Sequence, residues 1–359
     1  MTGRERLNAV LKGERPDRLA WTCLVDDNTL RTLPGGLAGV SYLDFCRRLG
    51  CDILLLEGWG TGRGLRSPVL AWGPGVAEAR SDRAGEHFVE YRTPAGTLRA
   101  SFRNGHPRKH PVENAADLRI YREMWEAARF EPSDDARTAA ELEALVGDDG
   151  VVVRFWGPSA VPRLLEYDMG MENFYLLLAD HPREMADLVD CMHRGFRRAF
   201  AILAAGPCDV VILVENTSSR YIAPEVYERF NGPHVRDFVD IVHAAGKTAI
   251  IHMCGHVRGL LPLIRATGLD GVHALTPPPV GDTPWQAALD ALGEESVIIG
   301  AFDPAAFLTG PVEQIAPALD ALYTPRLRRA NVILCAFADG VSVPLNRFQA
   351  VGDWFGRNR

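Results

Sequence analysis

Thr248-Ala249-Ile250-Ile251-His252-Met253-Cys254 is a short, β-branched apolar run that ends on side chains able to do chemistry. It follows residues 224–244, in which Val235, Phe238, Val239 and Val242 fall on one helical stripe. The same alternation of strand and helix extends outward in both directions. Strands are expected at 18–25, 52–57, 151–156, 209–215, 248–254, 271–276, 297–302 and 332–338. Several are near-continuous Val, Ile and Leu, the composition of strands covered on both faces in a parallel sheet. Residues 182–205 place Met185, Leu188, Val189, Met192 and Phe196 on one stripe. Pro182 and Pro224 suit first helical turns, and Gly206 and Gly246 suit helix ends. The pattern predicts an α/β fold, a single (β/α)8 TIM barrel spanning residues 1–359. An open doubly wound sheet is the alternative, but no G-x-G-x-x-G follows the first strand to support it. Residues 87–103 alternate around Thr93-Pro94-Ala95-Gly96 and predict a β-hairpin inserted between barrel strands 2 and 3.

Composition narrows the function. A chain of 359 residues that is 47% hydrophobic and 24% charged can bury a large core, which excludes a disordered or fibrous protein. With 46 acidic against 39 basic residues it carries a net charge of −7 and lacks the basic footprint of a nucleic-acid binder. No run approaches the roughly 20 apolar residues that a membrane span needs. The opening residues read as an amphipathic helix without an apolar signal region, so a cytoplasmic protein is expected. Seven scattered cysteines fit reduced thiols rather than a disulfide framework.

In a barrel of this kind the chemistry collects at the carboxyl ends of the strands. Residues two apart on a strand point the same way, so His252 and Cys254 can aim a nitrogen and a sulfur at one point. Imidazole with thiolate selects zinc over magnesium or calcium. The plainer alternative is a core cysteine beside a hydrogen-bonded histidine. Cys335 and Asp339 share parity on the eighth strand, either one a third ligand. Glu215 emerges from the apolar fourth strand, where an unpartnered carboxylate is costly, so it belongs at the open end or beside a metal or Arg. His256, past Gly255, reads as loop. Asp26 and Asp27 end the first strand, Glu57 ends the second and His273 lies on the sixth, each facing either the mouth or the helical shell. Arg154, inside Val-Val-Val-Arg-Phe-Trp, needs a carboxylate partner or a substrate anion.

Four segments carry a family resemblance. They are Arg4-Glu5-Arg6-Leu7-Asn8-Ala9-Val10-Leu11-Lys12-Gly13-Glu14-Arg15-Pro16-Asp17-Arg18, Tyr91-Arg92-Thr93-Pro94-Ala95-Gly96-Thr97, His252-Met253-Cys254-Gly255 and Gly300-Ala301-Phe302-Asp303-Pro304. In this order they resemble the uroporphyrinogen decarboxylase superfamily, which implies a single barrel with its site at the carboxyl face. True decarboxylases of that superfamily carry an Arg-rich segment after the first strand. This chain has Trp21-Thr22-Cys23-Leu24-Val25-Asp26-Asp27 there, and its carboxylates would repel a polyanionic porphyrinogen. The chain resembles more closely the corrinoid-linked zinc methyltransferase branch, which implies His252 and Cys254 as zinc ligands. That branch has Gly-Cys-Gly-Val where this chain has Ala338-Asp339-Gly340-Val341, so Asp339 stands in place of the third, cysteine ligand. Either Asp339 completes a harder N/S/O site, or the metal site is lost or rebuilt and Cys335 is core.

The resemblance implies a zinc-dependent methyltransferase moving a methyl group between a cobalamin and a thiol or methoxylated small molecule. A separate corrinoid carrier protein is the implied partner. Glu215 and Asp26 are the catalytic candidates, with Glu215 a fourth ligand or a general base. Arg154, Trp156, Tyr221 and Asn216 are the substrate-binding candidates. Trp59, Trp156, Tyr167 and Tyr221 would wall an aromatic or corrin ring. Asp282 resembles the superfamily's aspartate that caps the following helix. The alternative function is a decarboxylase or other lyase for a smaller carboxylic acid, held by Arg154 or Arg220.

Overall fold

The computed structural model of the chain describes residues 1–26, 29–30, 39–338 and 343–358. Eight parallel strands form its centre: β1 (Ala20–Val25), β2 (Ile53–Leu56), β3 (Gly150–Trp156), β4 (Val210–Val214), β5 (Thr248–His252), β6 (Gly271–Leu275), β7 (Val297–Gly300) and β8 (Val332–Ala338). Hydrogen-bonded neighbours run β1-β8-β7-β6-β5-β4-β3-β2. This is the expected (β/α)8 TIM barrel, nearly closed, with β1 and β2 meeting at a seam that no ladder spans among the described residues.

Parity sorts every strand. Leu54, Leu56, Val151, Val153, Val210, Ile212, Ile250, Val297, Ile299, Ile333 and Cys335 pack together inside the barrel. Their neighbours, including Ile53, Leu55, Val152, Val211, Leu213, Ile251 and Val272, pack outward under the helices. The helix Pro182–Ala205 buries Met185, Leu188, Val189, Met192 and Phe196, the stripe read from sequence. The amino-terminal helix, Gly3–Leu11, begins with a Thr2/Glu5 capping box and pushes Leu7, Val10 and Leu11 into the interior cluster. It plugs the barrel at the end opposite the strand carboxyl termini. A plug of this kind leaves only the other end open for chemistry.

The excursion between β2 and β3 is larger than a hairpin. Glu86–Thr93 and Gly96–Arg103 pair antiparallel around the Thr93–Gly96 turn, but Ala77–Arg83 and His106–Lys109 extend them into a four-stranded sheet. The outer strands escaped notice because Ala77–Arg83 is exposed at every position and so has no apolar alternation. Among the described residues no helix is long and apolar enough to cross a membrane.

Leu7 is fully buried in the plug, so Leu7→Ala should destabilise the chain by about 2–5 kcal/mol through lost burial and a cavity. Urea unfolding of the two proteins checks this.

Candidate active site at the carboxyl end of the barrel

Register decides which groups meet at the mouth. Val214 on β4 lies opposite His252 on β5, and His252 lies opposite His273 on β6. Both imidazoles therefore face the axis. His252 Nδ1 and His273 Nδ1 are 2.8 Å apart, so one ring donates and the other accepts. The Phe155 ring stands edge-on to His252 at 5.2 Å and to His273 at 5.8 Å, sealing the pair from below. Burial pushes His252 down to about 4 and holds His273 well below the usual imidazole range, so both rings are neutral. His252 Nε2 has no hydrogen-bond partner among the described residues, and it carries the ring's lone pair in the tautomer whose Nδ1 donates to His273.

Cys254 lies just beyond the end of β5. Met253 donates its N–H to His273 O and buries its side chain in the outer layer. Cys254 is therefore turned back toward the side that His252 faces, as the strand alternation requires. Its thiol is exposed and lies 3.8 Å from Asn216 Oδ1. Asn216 sits in the left-handed region at φ +47°, and its N–H, like that of Glu215, bonds His252 O at 3.1 Å. This bend at the end of β4 swings the Asn216 amide over Cys254.

Glu166 joins the group from a π-helical turn, Leu164–Asp168, in the segment after β3. Burial raises its carboxyl above the usual range, opposed by hydrogen bonds to Asn216 and Tyr167. Tyr221 is close enough that Glu166, Cys254 and Glu215 all add to the rise in its phenol caused by burial. Its backbone carbonyl accepts the Tyr175 hydroxyl at 2.7 Å. Leu24 and Trp59 pack onto the interior cluster at the same end, and the Trp59 indole N–H bonds Val25 O. Phe337, of inward parity on β8, is 43% exposed and completes an apolar rim.

Several sequence candidates lie elsewhere. Arg154 and Trp156 have outward parity and do not reach the mouth. Arg154 is buried and gives its guanidinium to Glu57, Leu65 O and Ser67 O, while Trp156 packs on Phe130 and Phe196. A charged residue on this strand needed a partner, and it found one in the helical shell. Glu215 is fully buried behind the barrel wall, where Asn231 Nδ2 reaches its Oε2 at 3.4 Å and Oε1 has no hydrogen-bond partner among the described residues. It cannot serve as a base or ligand at the mouth. Asp26 does end β1, but its carboxylate is engaged by the Thr29 N–H and hydroxyl at 2.9 and 2.6 Å. Cys335 is buried inside the barrel. Asp282 accepts the Val257 and Arg258 N–H groups and so caps the turn after β5, not the helix that follows Asp282 itself. Asp27 and Asp339 lie outside the described residues.

Glu166 and Phe155 were not singled out from sequence. Parity with Val151 and Val153 could have placed Phe155 inward. Nothing local marks Glu166, because a π-helical turn breaks the helical spacing that would have placed it.

A sequence model of the uroporphyrinogen decarboxylase (URO-D) family matches residues 161–342, just over half of the chain. The chain belongs to the URO-D family. It is 27% identical over 129 residues to the methylcobamide:CoM methyltransferase MtbA of Methanosarcina acetivorans, a stretch covering 36% of each protein. The match therefore spans about a third of that relative's length. A solved methyltransferase from Methanosarcina mazei superposes over 99% of both chains with a TM-score of 0.59 at 14% identity, which shows a shared fold. The URO-D match contains Glu166, Asn216, Tyr221, His252, Cys254 and His273.

Burial raises the Glu215 carboxyl from 4.5 to about 7, with Ser159 and Asn231 opposing. A raised carboxyl pKa contributes stability that is complete below 4.5 and is lost as pH rises through 7. The wild type should therefore lose on the order of 3 kcal/mol between pH 4.5 and pH 8 from this group, and Glu215→Gln should lack that loss. Thermal melts of both proteins across this range measure it.

Proposed function

We propose that this URO-D family member is a zinc-dependent methyltransferase moving a methyl group between a corrinoid and a thiol or methoxylated small molecule. The observation carrying the reading is a neutral His252 whose Nδ1 is occupied by His273, beside an exposed Cys254 turned toward the same mouth. A metal-ligating histidine commonly has its second nitrogen fixed by a hydrogen bond in this way. The donor set fits zinc, with Nε2 of His252 and Sγ of Cys254 as two ligands and Asp339 as the proposed third. Zinc held there would keep Cys254 as a thiolate and supply Lewis-acid activation of an incoming thiol or ether oxygen.

The remaining residues orient and exclude. His273 fixes the tautomer and ring plane of His252. Asn216 accepts the Cys254 thiol hydrogen, and Glu166 in turn holds the Asn216 amide. Glu166 replaces Glu215 as the carboxylate able to take a proton at the mouth, since it is only partly buried and borders the thiol. Phe155, Leu24 and Phe337 present hydrocarbon that keeps water from the histidine pair and can seat a planar ring. The corrinoid is read as a substrate brought by a separate carrier protein, and the protein as cytoplasmic. The lyase alternative loses its best carboxylate anchor, because Arg154 is committed outside the barrel and Arg220 leans on His256 at 3.2 Å.

Elemental analysis of the full chain should show a zinc equivalent that departs with either His252→Ala or Cys254→Ser, counted apart from any metal held by residues away from the mouth. Methylcobalamin absorbance should decay when a thiol acceptor is added to wild type and not to either variant. Zinc content unaffected by both substitutions would defeat the reading. His273→Phe keeps an aromatic ring at this position and removes the Nδ1 partner. It should weaken zinc binding by about 10–100-fold in a chelator competition while the melting temperature stays close to wild type.

A further inference from the structure

Three of the seven cysteines converge far from the mouth. Cys23 points outward from β1, Cys46 lies on the helix Tyr42–Leu49, and Cys51 immediately precedes β2. Their sulfurs all lie within 4.8 Å of one another, with Cys23–Cys46 at 3.4 Å and Cys23–Cys51 at 3.6 Å. All three are buried, at 1%, 0% and 7% exposure, in a layer that includes Trp21, Val25, Tyr42, Phe45 and Ile53.

The place matters as much as the spacing. Cys23 and Cys51 flank the one seam of the barrel that no ladder closes, and Cys46 sits on the crossover between the two strands. The seam is held by Asp52 N–H to Trp21 O at 2.9 Å and by Leu54 N–H to Thr22 Oγ1 at 3.3 Å. Buried cysteines usually behave as separate small hydrophobes, and thiols make weak hydrogen bonds. Three of them from three elements meeting at one point make a soft donor set.

We propose that Cys23, Cys46 and Cys51 form a second metal site, a buried thiolate clasp for a thiophilic d10 cation, Zn2+ or Cu+, that ties β1 to β2. An ion about 2.3 Å from each sulfur sets them about 3.8 Å apart, a few tenths of an ångström beyond the Cys23–Cys46 and Cys23–Cys51 spacings and inside the 4.8 Å that bounds all three. Thiolate sulfur donors select these ions over magnesium, calcium or manganese. Loading exchanges each ligating S–H for an S–metal bond and releases the proton to solvent, so no oxidant or reductant is needed. The site is chemically separate from the mouth, because it shares no residue with His252, Cys254 or Asp339.

Full-length Cys254→Ser protein, which lacks a mouth ligand, isolates the clasp. Purified without chelator from cells supplied with zinc or with copper, it should retain about one equivalent of one of the two ions, which also names the ion. Cys254→Ser/Cys46→Ala should lose that equivalent. Cadmium added to metal-stripped Cys254→Ser protein should produce thiolate-to-metal ultraviolet absorption and raise its melting temperature, a readout that needs no change in the triad. Metal-free Cys254→Ser protein that gives no cadmium band would overturn the proposal. So would a Cys23–Cys46 disulfide found by mass spectrometry without reductant. Either failure leaves the zinc reading at the mouth untouched, since that rests on other residues.

Discussion

The lateral register of parallel strands is the constraint from which the site follows. In a closed barrel each inward side chain has fixed neighbours on two adjoining strands, and a slip of one residue would exchange the two faces. Val214, His252 and His273 stand side by side across β4, β5 and β6 because the ladders are paired as they are. The same rule sends Arg154 and Trp156 outward from β3 and keeps Phe155 beneath the histidines. The plug made by Leu7, Val10 and Leu11 closes the other end, so polar chemistry has one outlet.

Desolvation sets the charge state of what that outlet contains. Burial removes the proton from His252 and His273, so the histidine pair carries no net charge. Neutral imidazole is the form that can donate a lone pair, and a raised thiol at Cys254 is a group that an added cation would ionise. Asn216 and Glu166 meet this thiol with polar atoms where the strand ends and the wall opens. The two ends of the molecule thus differ in kind: hydrocarbon fixes one, and a small set of neutral, orientable donors occupies the other.

Legibility in the sequence tracks the range of the interaction involved. All eight barrel strands were readable to within a residue or two, because burial on both faces imposes near-continuous Val, Ile and Leu. The helical stripe of Met185, Leu188, Val189, Met192 and Phe196 was equally plain, since its period is local. His252 and Cys254 could be paired as candidates from sequence because two residues on one strand share a direction without reference to the rest of the fold. The outer strands of the inserted sheet were missed because exposed strands need no apolar alternation.

Local sequence thus determined the barrel, its strand ends and the residue types able to bind a soft metal, each a matter of periodicity or spacing along a short segment. Tertiary structure alone decided that Arg154 pairs with Glu57, that Glu215 is sealed behind the wall, and that Glu166 and His273 attend the mouth. It also decided that Cys23, Cys46 and Cys51 meet at the seam. These facts depend on contacts between segments far apart in the chain. Which partner a buried polar group finds is settled only when the register and packing of those segments leave it one low-energy choice.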